Sequence, residues 1–419
     1  MKVVFLCGGV GKRMLPLSED KFLLKFLGRT LLHHQVERAR KAGLNEFLLI
    51  GNPGNIDKIK AVAADIAGAE FAFAVQEKPR GMANALEAAR GMLPDEPVIV
   101  VNPNDVFESQ VYTSVMERCR KGPARSYLLA YEVEEYFPGG YLVVDDDGKV
   151  SGIVEKPGRG NQPSNLVNIV VHLHTRPGEL LEHIASAAAS ADDVYEQAIS
   201  NMIAEGHRVE AVRYNGFWKA IKYPWDIFAV MEYFLKGMEG NIPPGASISP
   251  TAVIEGEVLM EEGVRVLENA VIRGPCYIGR GSVIGNNALV RGGSHIGEGC
   301  VVGYGTEMKH CYIGDRCWFH RNYLGDSIVG SDCSLGAGTV TANVRLDGGN
   351  IRVKVGGESI DTGRDYLGAL IGNGVRTGIN VSLMPGVRIG AGCLVSPHLC
   401  LTEDLAAGKK ALAARDMKW

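Results

Sequence analysis

Taken in steps of six from Ile242, aliphatic residues fall in register at Ile248, Ile254, Met260, Val266, Ile272, Ile278, Ile284, Val290, Ile296, Val302 and Met308, and Gly and a small residue often follow. A period of six fits neither the 3.6 of a helix nor the alternation of a strand. It fits a triangular parallel coil with about six residues per side, where one aliphatic side chain per side fills the axis and a small residue allows the turn. The C-terminal half is therefore predicted to be a left-handed parallel β-helix. The period alone leaves open a rigid spacer or a trimerisation stalk.

The ends of the coil are also marked. After Met308 the register slips by one at Ile313 and resumes with Phe319, Val329 and Leu335. It breaks between about Val344 and Leu367, where Leu346-Asp347-Gly348-Gly349-Asn350 and Gly356-Gly357 read as a polar excursion, and returns at Ile371, Thr377, Leu383, Ile389 and Val395. Excursions from a solenoid usually decorate one face, often the binding face. The stretch Leu405 to Lys418 has helical composition and no hexads, so a β-helix over 240–402 is predicted to be closed by a helical cap over 403–419.

Residues 1–236 have a different texture. Apolar runs at Val3–Leu6, Phe47–Ile50, Phe71–Val75 and Val98–Val101 read as buried strands, and Leu31–Gly43, Ile56–Ile66 and Met82–Leu93 read as the helical crossovers between them. The alternation predicts an α/β domain with a Rossmann-like, doubly wound, mostly parallel sheet. Ligands of such sheets bind beyond the carboxyl ends of the strands.

Composition narrows the setting. The 419 residues suffice for two domains. No apolar run reaches the length of a membrane span, and the first residues lead directly into a strand. A net charge of −4 argues against a nucleic-acid or membrane-surface role. Cys276, Cys300, Cys317, Cys333 and Cys393 all take the fifth place of a hexad, normally a small inward site, and no CxxC occurs. Those five therefore read as small core hydrophobes, and a reduced cytoplasmic setting is expected.

The loop after the first strand is Cys7-Gly8-Gly9-Val10-Gly11-Lys12-Arg13-Met14. Gly8, Gly9 and Gly11 would let backbone N–H groups approach phosphate oxygens, with charge from Lys12 and Arg13. It is neither a P-loop, which needs Ser or Thr after Gly-Lys, nor a dinucleotide fingerprint, which needs Gly where Met14 stands. With its continuation Leu15-Pro16-Leu17-Ser18-Glu19-Asp20-Lys21-Phe22-Leu23, it resembles the signature of the sugar-phosphate nucleotidylyltransferases, departing at Lys12 and Asp20. Further matches follow in order. Gln76 and Gly81, within Gln76 to Ala85, stand where that family reads the nucleobase. Asp105 stands at its first metal-binding Asp. Gly140, Glu155, Lys156 and Asn168 stand where it contacts the sugar phosphate. One part is missing, because the family's second metal Asp lies in a Trp-x-Asp segment and here Trp218-Lys219-Ala220 puts Ala220 in its place. Lys219, Lys222 and Asp226 are the nearby candidates to compensate.

On the β-helix, His320-Arg321-Asn322-Tyr323-Leu324-Gly325-Asp326 resembles the His-x-x-Tyr-x-Gly-Asp segment of the bifunctional enzymes that make UDP-N-acetylglucosamine, whose acetyltransferase base is that His. A neutral imidazole suits an amine that must lose a proton as it attacks a thioester. Arg291 and Lys309 match the family's sugar-phosphate contacts, and Tyr323 and Asn343 its sugar-binding positions. Departures are Arg321-Asn322 for Leu-Ser/Thr and Tyr366 where Lys often stands. The coils around Gly378 to Val387 resemble those that bind CoA.

The resemblance covers nearly the whole chain and is closest to bifunctional sugar-1-phosphate nucleotidylyltransferase/acetyltransferases of the archaeal type. It implies an enzyme of amino-sugar nucleotide synthesis using a nucleoside triphosphate (UTP or dTTP), a sugar 1-phosphate, acetyl-CoA and Mg²⁺. It also implies a homotrimer, with Arg13, Lys21 and His320 catalytic. Two alternatives stand beside it: a single-activity enzyme whose other domain has decayed, and a non-catalytic sugar-nucleotide-binding regulatory protein.

Overall fold

A computed structural model describes residues 1–187 and 193–413. Contacts group the chain into two compact units, 1–10 with 30–220 and 11–29 with 221 onward. Compared with the expected boundary at 236, the segment 11–29 and the helix Asp226–Lys236 fall with the β-helix.

In the first unit the sheet runs in the order Val150–Glu155, Gly140–Val144, Leu166–His174, Val98–Val101, Lys2–Leu6, Glu46–Gly51, Glu70–Val75. Lys2–Leu6 pairs in parallel with Glu46–Gly51 and with Val98–Val101, and Glu46–Gly51 with Glu70–Val75. Leu166–His174 then joins antiparallel, and Ser126–Glu132 and Val209–Tyr214 extend the sheet on its other side. Helices Leu31–Lys41, Ile56–Ala64 and Gly81–Ala88 form the crossovers. Strands covered on both faces need unbroken apolar runs, which is why Val3 to Phe5 and Phe47 to Ile50 are fully buried without alternation. All four strands read from the sequence lie in the parallel half.

The second unit is a prism of three parallel sheets. Each strand pairs with the equivalent strand one coil on, so that Ile248, Val266, Ile284, Val302, Phe319 and Leu335 stack along one edge of the axis. The axis is filled by these residues and their counterparts on the other sheets. This is the left-handed β-helix of hexapeptide repeats. The fifth-place cysteines are buried in it. Cys300, Cys317 and Cys333 each donate a thiol hydrogen bond of 3.1 Å to a carbonyl of the next coil, those of Gly314, Gly330 and Gly372. No disulfide joins any cysteine.

The register slip is wider than the sequence showed. Met308, Leu324 and Thr341 are successive rungs of one sheet and Ile313 and Val329 of another, so Leu324 is an axis residue. The sides Met308–Ile313, Phe319–Leu324 and Leu324–Val329 are therefore each one residue short. Their corners hold His310, Arg321 and Asp326 in the left-handed region, at φ of 52°, 50° and 44°, as Asn287 and Arg316 are held on full-length sides. These strained corners carry the candidate chemistry.

The excursion after Val344 is a hairpin, Arg352–Val355 against Glu358–Asp361, turned at Gly356 and Gly357. Ile351 and Val353 are buried, and a side chain on Gly386 would strike Ile351.

The expected helical cap is corrected over 403–413. Leu405 bridges in parallel to Ile389, and Lys410–Ala411 pairs with Leu394–Val395, so the chain makes a further coil. The open edge of the preceding coil offers ladder partners, and these outweigh the helix propensity of an Ala-rich segment. Residues 414–419 of the cap lie outside the described residues. No helix among the described residues is long and apolar enough to cross a membrane.

Candidate active sites

In the first unit the start of the glycine loop is held by side-chain amides from the neighbouring strand's loop. Asn55 Nδ2 donates to the carbonyl of Cys7 at 2.9 Å and Asn52 Nδ2 to that of Gly8 at 3.1 Å. Gln76 is buried, and its Nε2 donates to Gly81 O at 3.0 Å and Asn84 Oδ1 at 2.9 Å. Its Oε1 lies where a side chain on Gly8 would be, so any larger residue there would displace the Gln76 amide. Gly81 opens its helix at φ +86°. The structure thus brings Gly8, Gln76 and Gly81 together. Gly9 is exposed.

Asp105 is buried on the short strand Asp105–Phe107, which pairs antiparallel with Trp218–Ala220. Ala220 is its direct cross-strand partner. Side chains of opposed residues share a face with Cβ atoms about 4.5–5.5 Å apart. A carboxylate at 220 would stand beside that of Asp105, whereas strand alternation puts Lys219 on the other face. Of the two positions where metal carboxylates were expected, 105 carries one and 220 does not. Among the described residues the group of three His, Cys, Asp or Glu whose ligand atoms lie within 4.8 Å of one another is His183, Glu205 and His207, none of them a predicted site residue.

The four predicted sugar-phosphate residues of this unit, Gly140, Glu155, Lys156 and Asn168, are neighbours. Gly140 pairs with Glu155, and a Cβ on it would come 2.9 Å from Glu155 Oε2 and 3.6 Å from Asn168 Cβ. Lys156 pairs with Glu155 at 2.7 Å. Nearby Glu196 is buried with Oε2 unbonded, and burial, with the charge of Glu155, pushes its pKa up to about 7.

In the second unit, Gly11 (φ +57°) caps the single 3₁₀ turn Lys12–Met14, and Lys21 opens another, Lys21–Leu23. Arg13 is exposed and Lys21 partly so. The segment is anchored on the prism by Lys25, which pairs with Asp315 at 2.9 Å and Glu298 at 3.2 Å. Asp226 Oδ2 accepts from the N–H groups of Lys222 and Tyr223, both at 2.8 Å, so this carboxylate braces its own loop.

On the prism, the rungs Glu307–Lys309 and Tyr323–Gly325 are adjacent, with Lys309 opposite Gly325. Asp326 is the hub of the group. Lys309 Nζ lies 3.1 Å from its Oδ2, Asn343 Nδ2 donates to Oδ2 at 2.6 Å, and His310 Nδ1 lies 3.0 Å from Oδ1. Burial alone would raise the Asp326 carboxyl, but these hydrogen bonds outweigh it and hold its pKa below the ordinary value. His310 Nε2 also meets Glu232 at 2.8 Å, and its ring stacks on Phe228 at 4.7 Å. Lys309 Nζ sits 4.2 Å above the Tyr366 ring, which takes the place of a lysine as its neighbour. A Cβ on Gly325 would come within 2.8 Å of Tyr323 Oη and 2.7 Å of Asn343 Nδ2, so those two flank the glycine. Arg291 pairs with Glu307 at 3.1 Å on the next rung.

His320 is exposed at the shortened corner of the same coil. Its N–H donates to Asn322 Oδ1 at 2.6 Å, while Asn322 Nδ2 donates to Gly336 O at 2.9 Å and Thr339 O at 3.2 Å. The departure at Asn322 is thereby explained as the brace of the corner presenting the imidazole. Sequence reasoning missed the hub role of Asp326 and the whole of His310 and Glu232. The first lay inside the quoted motif; His310 was masked by the slip.

A nucleotide-loop α/β unit followed by a hexapeptide prism with a histidine, a lysine and a carboxylate hub defines a two-domain transferase. The family model for nucleotidyl transferases matches residues 2–235, and that for bacterial transferase hexapeptides matches 257–292 and 275–310. The chain is 33% identical over 414 residues to the bifunctional protein GlmU of Methanococcus maripaludis strain C7, covering 97% of this chain and 95% of that one. It is 31% identical to that of Methanococcus vannielii, covering 97% and 96%. It is 30% identical to a bifunctional sugar-1-phosphate nucleotidylyltransferase/acetyltransferase of Sulfurisphaera tokodaii, covering 98% and 99%. The chain belongs to the nucleotidyl transferase family, in its branch of bifunctional sugar-1-phosphate nucleotidylyltransferase/acetyltransferases.

Proposed function

We propose that the chain catalyses two steps of amino-sugar nucleotide synthesis, acetyl transfer from acetyl-CoA to an amino-sugar 1-phosphate and nucleotidyl transfer from UTP or dTTP to a sugar 1-phosphate. The observation that carries it is the prism constellation, where an exposed histidine on a braced corner shares a coil with Tyr323 and the hub that holds Lys309 and Asn343.

In the acetyl step, Arg291 and Lys309 bind the phosphate, and Tyr323 and Asn343 orient the sugar. His320 takes the proton from the amine as nitrogen attacks the thioester carbon; the C–S bond breaks and the imidazolium returns that proton to the sulfur, so CoA leaves as the thiol. Asp326 orients Lys309 and Asn343 without touching substrate. The prism forms a homotrimer whose clefts take acetyl-CoA, the coils around Gly378 to Val387 supplying the CoA contacts.

In the nucleotidyl step, an oxygen of the sugar phosphate attacks the α-phosphorus and pyrophosphate leaves, so positioning and charge neutralisation are the main requirements. Gln76 reads the base; Gly8, Gly9, Gly11 and Gly81 are assigned to nucleotide binding, Arg13 and Lys21 to neutralising the phosphates, and Gly140, Glu155 and Asn168 to binding the sugar phosphate. Mg²⁺, held by Asp105 and the triphosphate, would supply charge neutralisation at the phosphates. The setting is cytoplasmic, in keeping with nine cysteines and no disulfide.

Ala220 favours one second reading, an acetyltransferase whose nucleotidyl site has weakened. The test is a panel of nucleoside triphosphates, sugar 1-phosphates and acetyl-CoA, scoring pyrophosphate and free CoA separately. Release of both supports the two-step function, CoA alone the second reading, and neither overturns both.

A further inference from the structure

Behind Asn168 runs a continuous chain of buried polar side chains. Asn168 Oδ1 lies 2.8 Å from His172 Nε2, and His172 Nδ1 lies 2.8 Å from Tyr195 Oη. Tyr195 Oη lies 2.8 Å from His174 Nε2, and His174 Nδ1 lies 2.8 Å from Ser126 Oγ. Ser126, His172, His174 and Tyr195 have no exposed surface. Such a network is expensive to bury unless every member is satisfied, and here all four ring nitrogens are used.

The direction of the chain follows from chemistry. Burial drives both histidines toward the neutral form, so each ring has one donor and one acceptor. Asn168 Oδ1 only accepts, so His172 Nε2–H donates to it and Nδ1 accepts. Tyr195 Oη–H must then donate to His172 Nδ1, which leaves the phenol oxygen to accept from His174 Nε2–H. Ser126 Oγ–H donates to His174 Nδ1 and closes the inner end. Every proton is assigned once. The Asn168 oxygen is consumed, and its NH₂ group is left to act as a donor.

We propose that this buried chain is a positioning device, with Tyr195, His172, His174 and Ser126 holding the Asn168 carboxamide so that its NH₂ faces an oxygen of the sugar phosphate. It rests on the reading of Asn168 as a sugar-phosphate contact. None of the four inner residues touches substrate. Their contribution is orientation, since a free amide would present oxygen or nitrogen equally and an oxygen would repel a phosphate.

Two measurements test it. In the wild-type protein, ¹⁵N spectra of the histidines should show His172 and His174 both as neutral Nε2–H tautomers; both as Nδ1–H tautomers would mean that the chain runs the other way and the oxygen faces outward, which overturns the proposal. Binding of a sugar 1-phosphate is then followed by calorimetry in a chain carrying Arg291→Ala and Lys309→Ala, which removes the prism's own phosphate contacts. Adding Tyr195→Phe should weaken binding about tenfold while nucleoside triphosphate binding stays within about twofold, as for loss of one oriented hydrogen bond. A fall in thermal midpoint with sugar-phosphate affinity unchanged would make the chain purely structural. Should Tyr195→Phe not fold, Ser126→Ala at the far end serves with the same expected direction. No binding before Tyr195→Phe is added, with the Nε2–H tautomers present, would overturn the reading of Asn168 rather than the wiring behind it.

Discussion

Ala220 faces Asp105 across the antiparallel ribbon formed by Asp105–Phe107 and Trp218–Ala220. The pairing gives a physical form to a gap in the motif. On the proposed assignment, two carboxylates at these positions would share a face and clamp one cation, whereas a methyl group at 220 removes one of them.

Pyrophosphate release should therefore be slow and need high Mg²⁺. Ala220→Asp is expected to raise the rate or lower the Mg²⁺ concentration for half-maximal activity, read from a Mg²⁺ titration of both forms with matched substrates. Fast wild-type turnover at low Mg²⁺, with no gain in the variant, would show that another arrangement serves.

His320→Ala should abolish CoA release from acetyl-CoA and an amino-sugar 1-phosphate, a loss of about 10²–10⁴-fold for a positioned base. Light scattering should show the same assembly state. Near-normal turnover would make His320 a structural residue.

Asp326→Asn keeps the size of the hub and removes the charge that holds Lys309, His310 and Asn343. The KM for the amino-sugar 1-phosphate should rise about tenfold, as for loss of one charge-assisted contact, with the KM for acetyl-CoA little changed. An equal rise in both would mean that the corner itself had collapsed.

The first unit should lose stability in acid. Burial holds the pKa of His174 down at about 3 and that of His172 well below the ordinary 6.5, so below pH 6.5 the unfolded chain binds protons that the folded one does not. Their contribution is complete above 6.5 and is lost as the pH falls toward 3. Glu196 works in the opposite sense. With its pKa raised from 4.5 to about 7, the folded chain holds a proton that the unfolded one has lost, so its contribution falls as the pH rises from 4.5 to 7. Thermal midpoints should rise with pH between 4 and about 6.5, and more steeply in Glu196→Gln. A shallower slope in that variant would contradict the assignment.

Much of this was legible in the sequence because the responsible patterns are local and repeated. One aliphatic residue per six from Ile248 to Met308 fixed the prism, and unbroken runs such as Phe47 to Ile50 fixed the central strands. In the antiparallel half of the first sheet, Gly140–Val144 and Val150–Glu155 were not legible because they are only partly covered, and the mostly buried Ser126–Glu132 and Leu166–His174 were not read as strands. The tail from Leu405 misled because local Ala content was weighed without the pairing edge beneath it. In the sites, Gly8, Gln76 and Gly81 were picked out by motif and prove to be neighbours. Glu232 and His310, 78 residues apart, carried no local signal of their contact. Leu324 was hidden because two five-residue sides in succession imitate a single gap between Phe319 and Val329.

The most direct test of a chain with two transferase sites is mass spectrometry of the products formed from an amino-sugar 1-phosphate, acetyl-CoA and UTP or dTTP with Mg²⁺. Wild type should yield an N-acetylated sugar nucleotide, and His320→Ala should yield no acetylated sugar. Absence of any acetylated product from wild type, or its formation at the same rate by His320→Ala, would contradict the account.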